Sequence, residues 1–185
     1  VSTTNSTVYG DGGGKIFSSN DGVTFTDRYT VANGDRTQIA VSRTVADKVY
    51  VLAELTTTAA VGLYRTTNAF GTTTTLALPS DADGGVGADF TRGQAWYDLI
   101  LAVNPNKASE LMIGGIDLFR STNSGSSWSQ ISKWSNNANL NTLNCSYVHA
   151  DQHQIVYNSD GKRVLIGCDG GVFYASNIQN NPQSN

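Results

Sequence analysis

The sequence is poor in the residues that usually cover helices. Its 185 residues include five Lys, two Glu and one Met, whereas Thr, Gly, Ser and Asn together supply 74. Exposed helical surfaces are normally built from Glu, Lys, Gln and Arg, while Thr favours strands and Gly, Ser and Asn favour turns. The composition therefore excludes an all-α fold and favours short strands joined by tight turns.

Further absences narrow the class of protein. No apolar run approaches the ~20 residues that a membrane-spanning helix needs. The formal net charge of -3 supplies no basic field for nucleic acid or an anionic membrane surface. The sequence also lacks the Gly-x-Ser-x-Gly, Cys-x-x-Cys and His-Glu-x-x-His patterns, so serine-nucleophile, dithiol-redox and zinc-protease chemistry have no support. The hydrophobic fraction of 39% is enough to form a core.

The chain ends and the cysteines bear on where the protein works. The chain opens with VSTTNSTVYG, without Met or an apolar leader, and closes on the polar NNPQSN, so we expect a processed segment. Cys145 and Cys168 lie 23 residues apart. They suit one disulfide bond if the chain is secreted and two inert buried thiols if it is not.

A turn-forming pattern recurs along the chain. Its shared elements are an apolar pair, a Ser or Thr, an Asn, a Gly and a trailing aromatic residue, with the Gly displaced by one position in the copy at 63–75 and missing in the copy at 172–177. The copies lie near residues 16–25, 63–75, 118–128 and 172–177, and their Asn residues are 48, 55 and 54 positions apart. Because the Asn side chain can cap a turn and Gly tolerates a positive φ, each copy predicts a β-hairpin.

Two further strands are predicted before three of these hairpins. They lie at 38–41 and 48–52, at 99–103 and 110–114, and at 154–157 and 163–167. Four antiparallel strands in each unit of about 50 residues is the arrangement of a β-propeller blade. The sequence therefore predicts an all-β propeller segment over residues 1–185, an arc of about four blades, some of them partial. Because one blade cannot bury both its faces, we expect the remaining blades of the same protein, or another copy of the chain, to complete it.

The repeated turn resembles a known motif. The runs Ser18-x-Asn20-x-Gly22-x-Thr24-Phe25 and Ser121-x-Asn123-x-Gly125-x-Ser127-Trp128 resemble the Asp-box, or bacterial neuraminidase repeat, of sialidase-like and sortilin-like β-propellers, with Asn in place of the usual Asp. The resemblance implies a structural role, away from any active site, for Ser18, Asn20, Gly22, Phe25, Thr66, Asn68, Ser121, Asn123, Gly125 and Trp128.

Three longer stretches extend this resemblance. Residues 93–99, 147–153 and 167–173 resemble secreted, repeat-bearing propeller proteins of bacteria that export through the type IX route, often labelled glycosyl-hydrolase-like. The resemblance implies a secreted or cell-surface location.

Both histidines of the chain lie in one short segment. If residues 149–153 are extended, His149, Asp151 and His153 point to one face, where they could bind a divalent metal or a ligand in the central channel. The alternative is a hydrogen-bonded network that fixes the start of one blade against its neighbour.

A Gly-rich acidic loop is the second candidate for a metal site. Asp81, Asp83 and Asp89 offer oxygen ligands that suit Ca²⁺. Their spacing matches no EF-hand, and turn formation explains Asp and Gly equally well.

Asp98 and Asp151 are the best carboxylate pair for glycoside hydrolysis. Asp98 follows Trp96 and Tyr97, whose rings could stack on a sugar or could serve blade packing. The arginine cluster of sialidases is missing, and the active-site residues of a sialidase or xyloglucanase cannot be matched one by one to residues of this sequence. We therefore expect a non-catalytic recognition or scaffold module for carbohydrate or protein, with a glycoside hydrolase whose site lies partly outside this chain as the alternative. A third hypothesis is an assembly or sorting partner.

Overall fold

The computed structural model describes residues 1–4, 12–56, 61–83, 89–137 and 139–180. Strands dominate these residues. They are β1 (Lys15–Ser18), β2 (Thr26–Thr30), β3 (Gly34–Val41), β4 (Val49–Leu55), β5 (Val61–Thr66), β6 (Thr74–Thr75), β7 (Ile100–Asn104), β8 (Lys107–Gly114), β9 (Leu118–Ser121), β10 (Ser129–Gln130), β11 (Ser132–Lys133), β12 (Ser146–Tyr147), β13 (Gln152–Tyr157), β14 (Val164–Cys168) and β15 (Gly171–Ala175).

Helical structure is confined to single turns. They are α1 (Ala95–Asp98) and two 3-10 turns at Leu140–Thr142 and Ile178–Asn180. Within the described ranges, no helix has the length and apolar character of a membrane span. The all-β prediction is confirmed.

The strands form successive antiparallel sheets, which we number as blades. Blade 1 pairs β1 with β2, blade 2 has the order β3-β4-β5-β6, blade 3 has the order β7-β8-β9-β10, and blade 4 has the order β13-β14-β15. A short parallel pair, β11 with β12, links blades 3 and 4. The predicted four-stranded unit is thus confirmed in blades 2 and 3. In blade 4 the described residues after β15 turn into a 3-10 helix instead of a fourth strand.

The blades are packed face to face through three apolar clusters. Strand alternation sends Val51 of β4 toward Ile16 of blade 1, and the adjacent Leu52 toward Ile113 of blade 3. A third cluster joins blades 3 and 4 through residues such as Met112, Leu118, Ile166 and Phe173. The first strands also lie side by side, because β7 contacts both β3 and β13. The first strands of blades 2, 3 and 4 therefore lie next to one another.

The repeated turns are closed by their own polar side chains. In blade 3, Asn123 Oδ1 accepts the Ser121 hydroxyl at 3.0 Å and the Ser127 N–H at 2.9 Å. Thr66 and Asn68 make the equivalent bonds in blade 2, at 3.0 Å to each other and 2.9 Å to the Thr72 N–H. These bonds satisfy backbone donors that the turn leaves unpaired.

Blade 1 departs from the predicted register of this turn. Asp21, not Asn20, accepts the backbone N–H groups of Val23 at 2.9 Å and Thr24 at 2.8 Å, and Ser19, not Ser18, bonds the Asp21 carboxylate at 2.9 Å. The loop of blade 1 is one residue shorter than the loop of blade 3. The pair of side chains that closes it is therefore Ser19 and Asp21 instead of Ser18 and Asn20. Gly22 keeps the positive φ of 75° expected for the turn, and Phe25 is exposed.

The cysteines are not bonded to each other. Both are free thiols, Cys168 buried in the cluster between blades 3 and 4 and Cys145 half-buried in the loop before β12. The possible disulfide is therefore not formed, and of the two buried thiols that the alternative required only Cys168 is buried. Burial, reinforced by the charge of Asp117, raises the pKa of Cys145 to about 11.

Candidate functional site

The candidate site is built around the single turn of α1. This turn begins after Gln94, whose carbonyl accepts the N–H groups of Tyr97 at 2.7 Å and Asp98 at 3.1 Å. It contacts β3 and β13, and the guanidinium of Arg36 donates to the Trp96 carbonyl at 2.9 Å. Trp96 is 63% exposed, and its ring centroid lies 5.5 Å from that of Tyr97. The turn thus displays two aromatic rings where blades 2, 3 and 4 meet.

Asp169 connects the aromatic pair to blade 4. Its Oδ1 accepts the Tyr97 hydroxyl at 2.8 Å and lies 2.6 Å from Nε2 of His153. The hydrogen bonds from His153 and Tyr97 lower the pKa of Asp169, and the same bond raises the pKa of Tyr97. The Tyr97 and His153 rings meet edge to face at 4.8 Å. An ionised carboxylate therefore fixes both rings at the rim of the site.

Asp98 faces inward from the same turn. It is fully buried, and neither carboxylate oxygen has a hydrogen-bond partner among the described residues. Burial, with a smaller contribution from the charge of Asp151, raises the pKa of Asp98 to about 8. The Asp98 carboxyl is therefore protonated at neutral pH.

The structure does not bring His149, Asp151 and His153 to one face. Asp151 has a left-handed backbone, with φ of 61°, which interrupts the alternation of an extended strand just before β13. His149 Nδ1 lies 3.1 Å from the Ala150 carbonyl, and its side chain packs on Gly170, while His153 turns to Asp169. In the parts of the chain that are described, no three His, Cys, Asp or Glu residues are placed to hold a metal ion. His153 therefore takes part in a hydrogen-bonded network, which was the alternative to a metal or ligand site.

The predicted calcium loop binds an arginine instead. The guanidinium of Arg92 lies 2.5 Å from Asp83 Oδ2 and 3.4 Å from Asp81 Oδ2, and Asp83 also accepts the amide of Asn137 at 3.0 Å. Burial alone would raise the pKa of Asp83, but the bond from Arg92 reverses this and lowers it. Both carboxylates are thus neutralised by a side chain of the protein. Gly84 and Gly85 lie outside the described residues.

Asp89 takes a separate structural role. Its carboxylate accepts the N–H and the hydroxyl of Thr91 at 3.1 and 2.7 Å, and the Gly93 N–H at 2.8 Å. It therefore closes the turn that carries Arg92 rather than joining Asp81 and Asp83.

A second buried carboxyl, Asp117, lies beneath this acidic loop. It accepts the Ser132 hydroxyl at 3.0 Å and the Gln130 amide at 3.1 Å. Burial raises the pKa of Asp117 to about 7, against the lowering effect of the Ser132 bond. Because it is enclosed and bonded on both oxygens, it stabilises the packing of blade 3 and its following loop.

Some residues of the site were missed by the sequence reasoning. Asp169 lies in one of the stretches that carried the family resemblance, but it was not selected as a candidate. Arg36 and Arg92 gave no signal, because their partners lie 60 and 9 residues away in no recognisable pattern.

Comparisons with known proteins identify the fold. No protein-family model matches the sequence, and no curated protein is significantly similar to it. Among solved structures, YCF48 from Cyanidioschyzon merolae matches with a TM-score of 0.56 at 16% identity, over 95% of this chain and 50% of that chain. The fold is a β-propeller.

Two further solved propellers show weaker similarity. The GH74 xyloglucanase from Xanthomonas campestris matches with a TM-score of 0.46 at 17% identity, over 75% of this chain and 22% of that chain. YCF48 bound to D1 peptide matches with a TM-score of 0.44 at 12% identity, over 90% of this chain and 58% of that chain. The propeller segment thus spans less than two thirds of each of these chains.

Proposed function

We propose that this propeller segment is a non-catalytic recognition module that binds carbohydrate on the surface around α1, and that it belongs to a secreted or cell-surface protein although both its cysteines are free thiols. In this proposal the repeated turns are structural elements of the Asp-box kind, which close the blade hairpins and take no part in binding. The observation that carries the proposal is the exposed Trp96 ring beside Tyr97, whose hydroxyl is held by Asp169.

The chemistry of this surface suits a sugar. An exposed aromatic pair can stack on the apolar face of a pyranose ring, and fixed polar groups beside it can bond the hydroxyls. Asp169 supplies an ionised acceptor, and the half-exposed His153 ring lies next to it. Because Asp169 holds the Tyr97 and His153 side chains before any ligand arrives, less conformational entropy is lost on binding.

The burial of Asp98 argues for binding rather than hydrolysis. A general acid must reach the glycosidic oxygen, either directly or through one water, whereas the Asp98 side chain is fully enclosed. One observation still favours glycoside hydrolysis as the second candidate function. Asp98 is a protonated carboxyl with the Asp151 charge nearby, and a proton-holding carboxyl beside a second carboxylate is the arrangement that glycosidases use.

The binding proposal is tested with a glycan array followed by calorimetry on the sugars that bind. We expect Trp96→Ala to weaken binding about five- to tenfold, because a stacked ring contributes on the order of 1–1.5 kcal/mol. The matched control is Phe25→Ala, which removes an exposed aromatic ring from the turn of blade 1 and should bind like the wild type. Capture of a polypeptide on the same surface, with no glycan bound, would overturn the carbohydrate assignment.

The second candidate is tested by turnover of the bound oligosaccharides. A hydrolase would release reducing ends, and Asp98→Asn or Asp151→Asn would abolish the release while leaving binding intact. Binding without any release of reducing ends supports the non-catalytic assignment.

A further inference from the structure

The surface around α1 holds two carboxylates beside its aromatic rings. The Asp169 N–H donates to the Asp151 carbonyl at 3.2 Å, which continues the pairing of β13 with β14 by one residue pair. The hydrogen bond to Asp169 raises the pKa of Tyr97, with smaller contributions from burial and from the charges of Asp169 and Asp151. Both aspartates therefore lie close to one of the rings that form the carbohydrate surface.

Neither carboxylate is fully occupied by the protein. The half-buried Asp151 side chain has no hydrogen bond or ion pair within the described ranges. Asp169 bonds Tyr97 and His153 through Oδ1 alone, and no described residue donates to its Oδ2. Burial and the Asp169 charge raise the pKa of Asp151, against the lowering effects of the two histidines and Arg92. The two negative charges thus act on each other, and oxygens of both remain open to a ligand.

The two arginines whose charges reach this surface are balanced by other carboxylates. Arg92 forms ion pairs with Asp81 and Asp83. Burial is the main cause that raises the pKa of Glu54 in β4, and the nearby charge of Arg36 opposes it. Proteins bind carboxylated ligands chiefly through the paired N–H groups of arginine. Both guanidinium groups thus have a carboxylate of the protein close to them, whereas the two aspartates beside the rings face the ligand.

Charged and uncharged sugars should therefore fare differently on this surface. Sugar hydroxyls can donate to Asp151 and to the open oxygen of Asp169, and hydrogen bonds to an ionised acceptor are stronger than neutral ones. The carboxylate of an acidic sugar cannot donate, and it would bring a like charge against both aspartates. Like charges across a binding surface cost affinity and serve to reject the wrong ligand.

We propose that the surface around α1 selects uncharged glycans and rejects carboxylated ones, with Asp151 as the specificity-determining residue. The inference rests on the proposed carbohydrate function and adds the class of ligand. Asp169 also repels a sugar carboxylate, but it positions the Tyr97 and His153 rings as well, so its replacement would change geometry and charge together. Asp151 has a left-handed backbone with φ of 61°, which Asn adopts as readily as Asp. Asp151→Asn therefore removes the charge and keeps the backbone.

The test compares matched pairs of sugars by titration calorimetry at pH 7.5. The probes are β-1,4-linked hexasaccharides of glucose, mannose and galactose, each beside the same hexasaccharide with its C6 alcohols oxidised to carboxylates. At about 0.01 M ionic strength we expect the oxidised member of a pair to bind at least about tenfold more weakly than the neutral one. The difference should shrink at about 1 M, because the Debye length falls from about 30 Å to about 3 Å.

The variants assign the selectivity to one residue. Asp151→Asn should reduce the ratio of the two dissociation constants at least about threefold at low salt. Asp160→Asn removes the same charge from the exposed turn between β13 and β14, so it controls for the net charge of the chain and should leave the ratio unchanged.

The outcomes separate this inference from the carbohydrate proposal. Equal or tighter binding of the oxidised sugars, or a ratio that Asp151→Asn does not change, would overturn the selectivity and leave carbohydrate binding standing. An equal loss of selectivity in Asp160→Asn would overturn the assignment to Asp151. If no member of any pair bound, the carbohydrate proposal would fall together with this inference.

Discussion

His153 Nε2 lies 2.6 Å from Oδ1 of Asp169, which joins the start of β13 to the residue after β14. The same oxygen accepts the Tyr97 hydroxyl from α1, so one carboxylate positions two rings from different blades. Because these bonds require an ionised acceptor, the charge of Asp169 is central to the geometry of the candidate site.

Replacing that charge should change the titration of Tyr97. The bond to Asp169 raises the pKa of Tyr97, so Asp169→Asn should lower it toward the ordinary value of about 10. The measurement is phenolate absorbance against pH, with the Tyr97→Phe curve subtracted to isolate this residue. Asp160→Asn, which changes an exposed aspartate bonded to Arg163, should leave the Tyr97 titration unmoved. An unchanged Tyr97 pKa in Asp169→Asn would contradict the hydrogen bond.

Asp98 should make the protein less stable as the pH rises. Its pKa is about 8 in the folded chain and about 4 in the unfolded chain, so its contribution is complete below pH 4 and is lost as the pH approaches and passes 8. Asp98→Asn should therefore be more stable than the wild type at pH 8.5, by a few kcal/mol, and similar to it at pH 4. Urea denaturation at several pH values measures this difference.

Asp160 provides a control of opposite sign for that experiment. Backbone bonds from Lys162 and Arg163 lower its pKa to about 2, so its contribution is present above pH 4 and is lost as the pH falls toward 2. Asp160→Asn should lose stability at neutral pH and match the wild type at pH 2. A stability difference for Asp98→Asn that does not depend on pH would rule out the raised pKa.

Arg92 should be needed for folding stability. Its removal leaves Asp81 and Asp83 buried without a cation, so Arg92→Met should destabilise the fold by about 3 kcal/mol in urea denaturation. Arg163→Met removes a similar pair, Arg163–Asp160, from the surface and should leave the midpoint almost unchanged. Equal effects of the two variants would mean that the Arg92 pairs are no more important than a surface contact.

The turn of blade 1 should depend on Asp21 and not on its neighbour. Asp21→Ala removes the acceptor of the Val23 and Thr24 N–H groups, so their hydrogen exchange should accelerate. Asn20→Ala should leave both exchange rates unchanged. The reverse result would restore the register predicted from the sequence repeat.

The free cysteines lead to two expectations. A reductant should not change the stability of the protein, and the Cys145 thiol of the folded protein should react slowly. With both cysteines free, dithiothreitol should leave the melting temperature unchanged, and the unfolded chain should titrate as two thiols without prior reduction. The pKa of about 11 for Cys145 keeps little thiolate at pH 8, so the folded protein should react slowly with a disulfide reagent. A melting temperature that falls in dithiothreitol would indicate a bond between the two residues.

The features that were predicted correctly depend on near neighbours in the chain. Asn68 and Asn123 cap turns within four residues of themselves, and the strand pairs of blades 2 and 3 follow from alternating apolar residues between turn formers. In blade 1, both Asn20 and Asp21 could accept the backbone N–H groups of the turn. The alignment of the repeats selected Asn20, but the loop is one residue shorter there and Asp21 is the acceptor.

By itself, the sequence determined the all-β class and the blade-sized repeat, since local hydrogen bonding and period-two hydrophobicity are properties of short segments. Only the tertiary structure decided that Asp98 is buried, that Arg92 neutralises the acidic loop and that Asp169 holds Tyr97 and His153. Those outcomes depend on which blades pack together, because burial and charge pairing are set by groups that are distant along the chain and close in space.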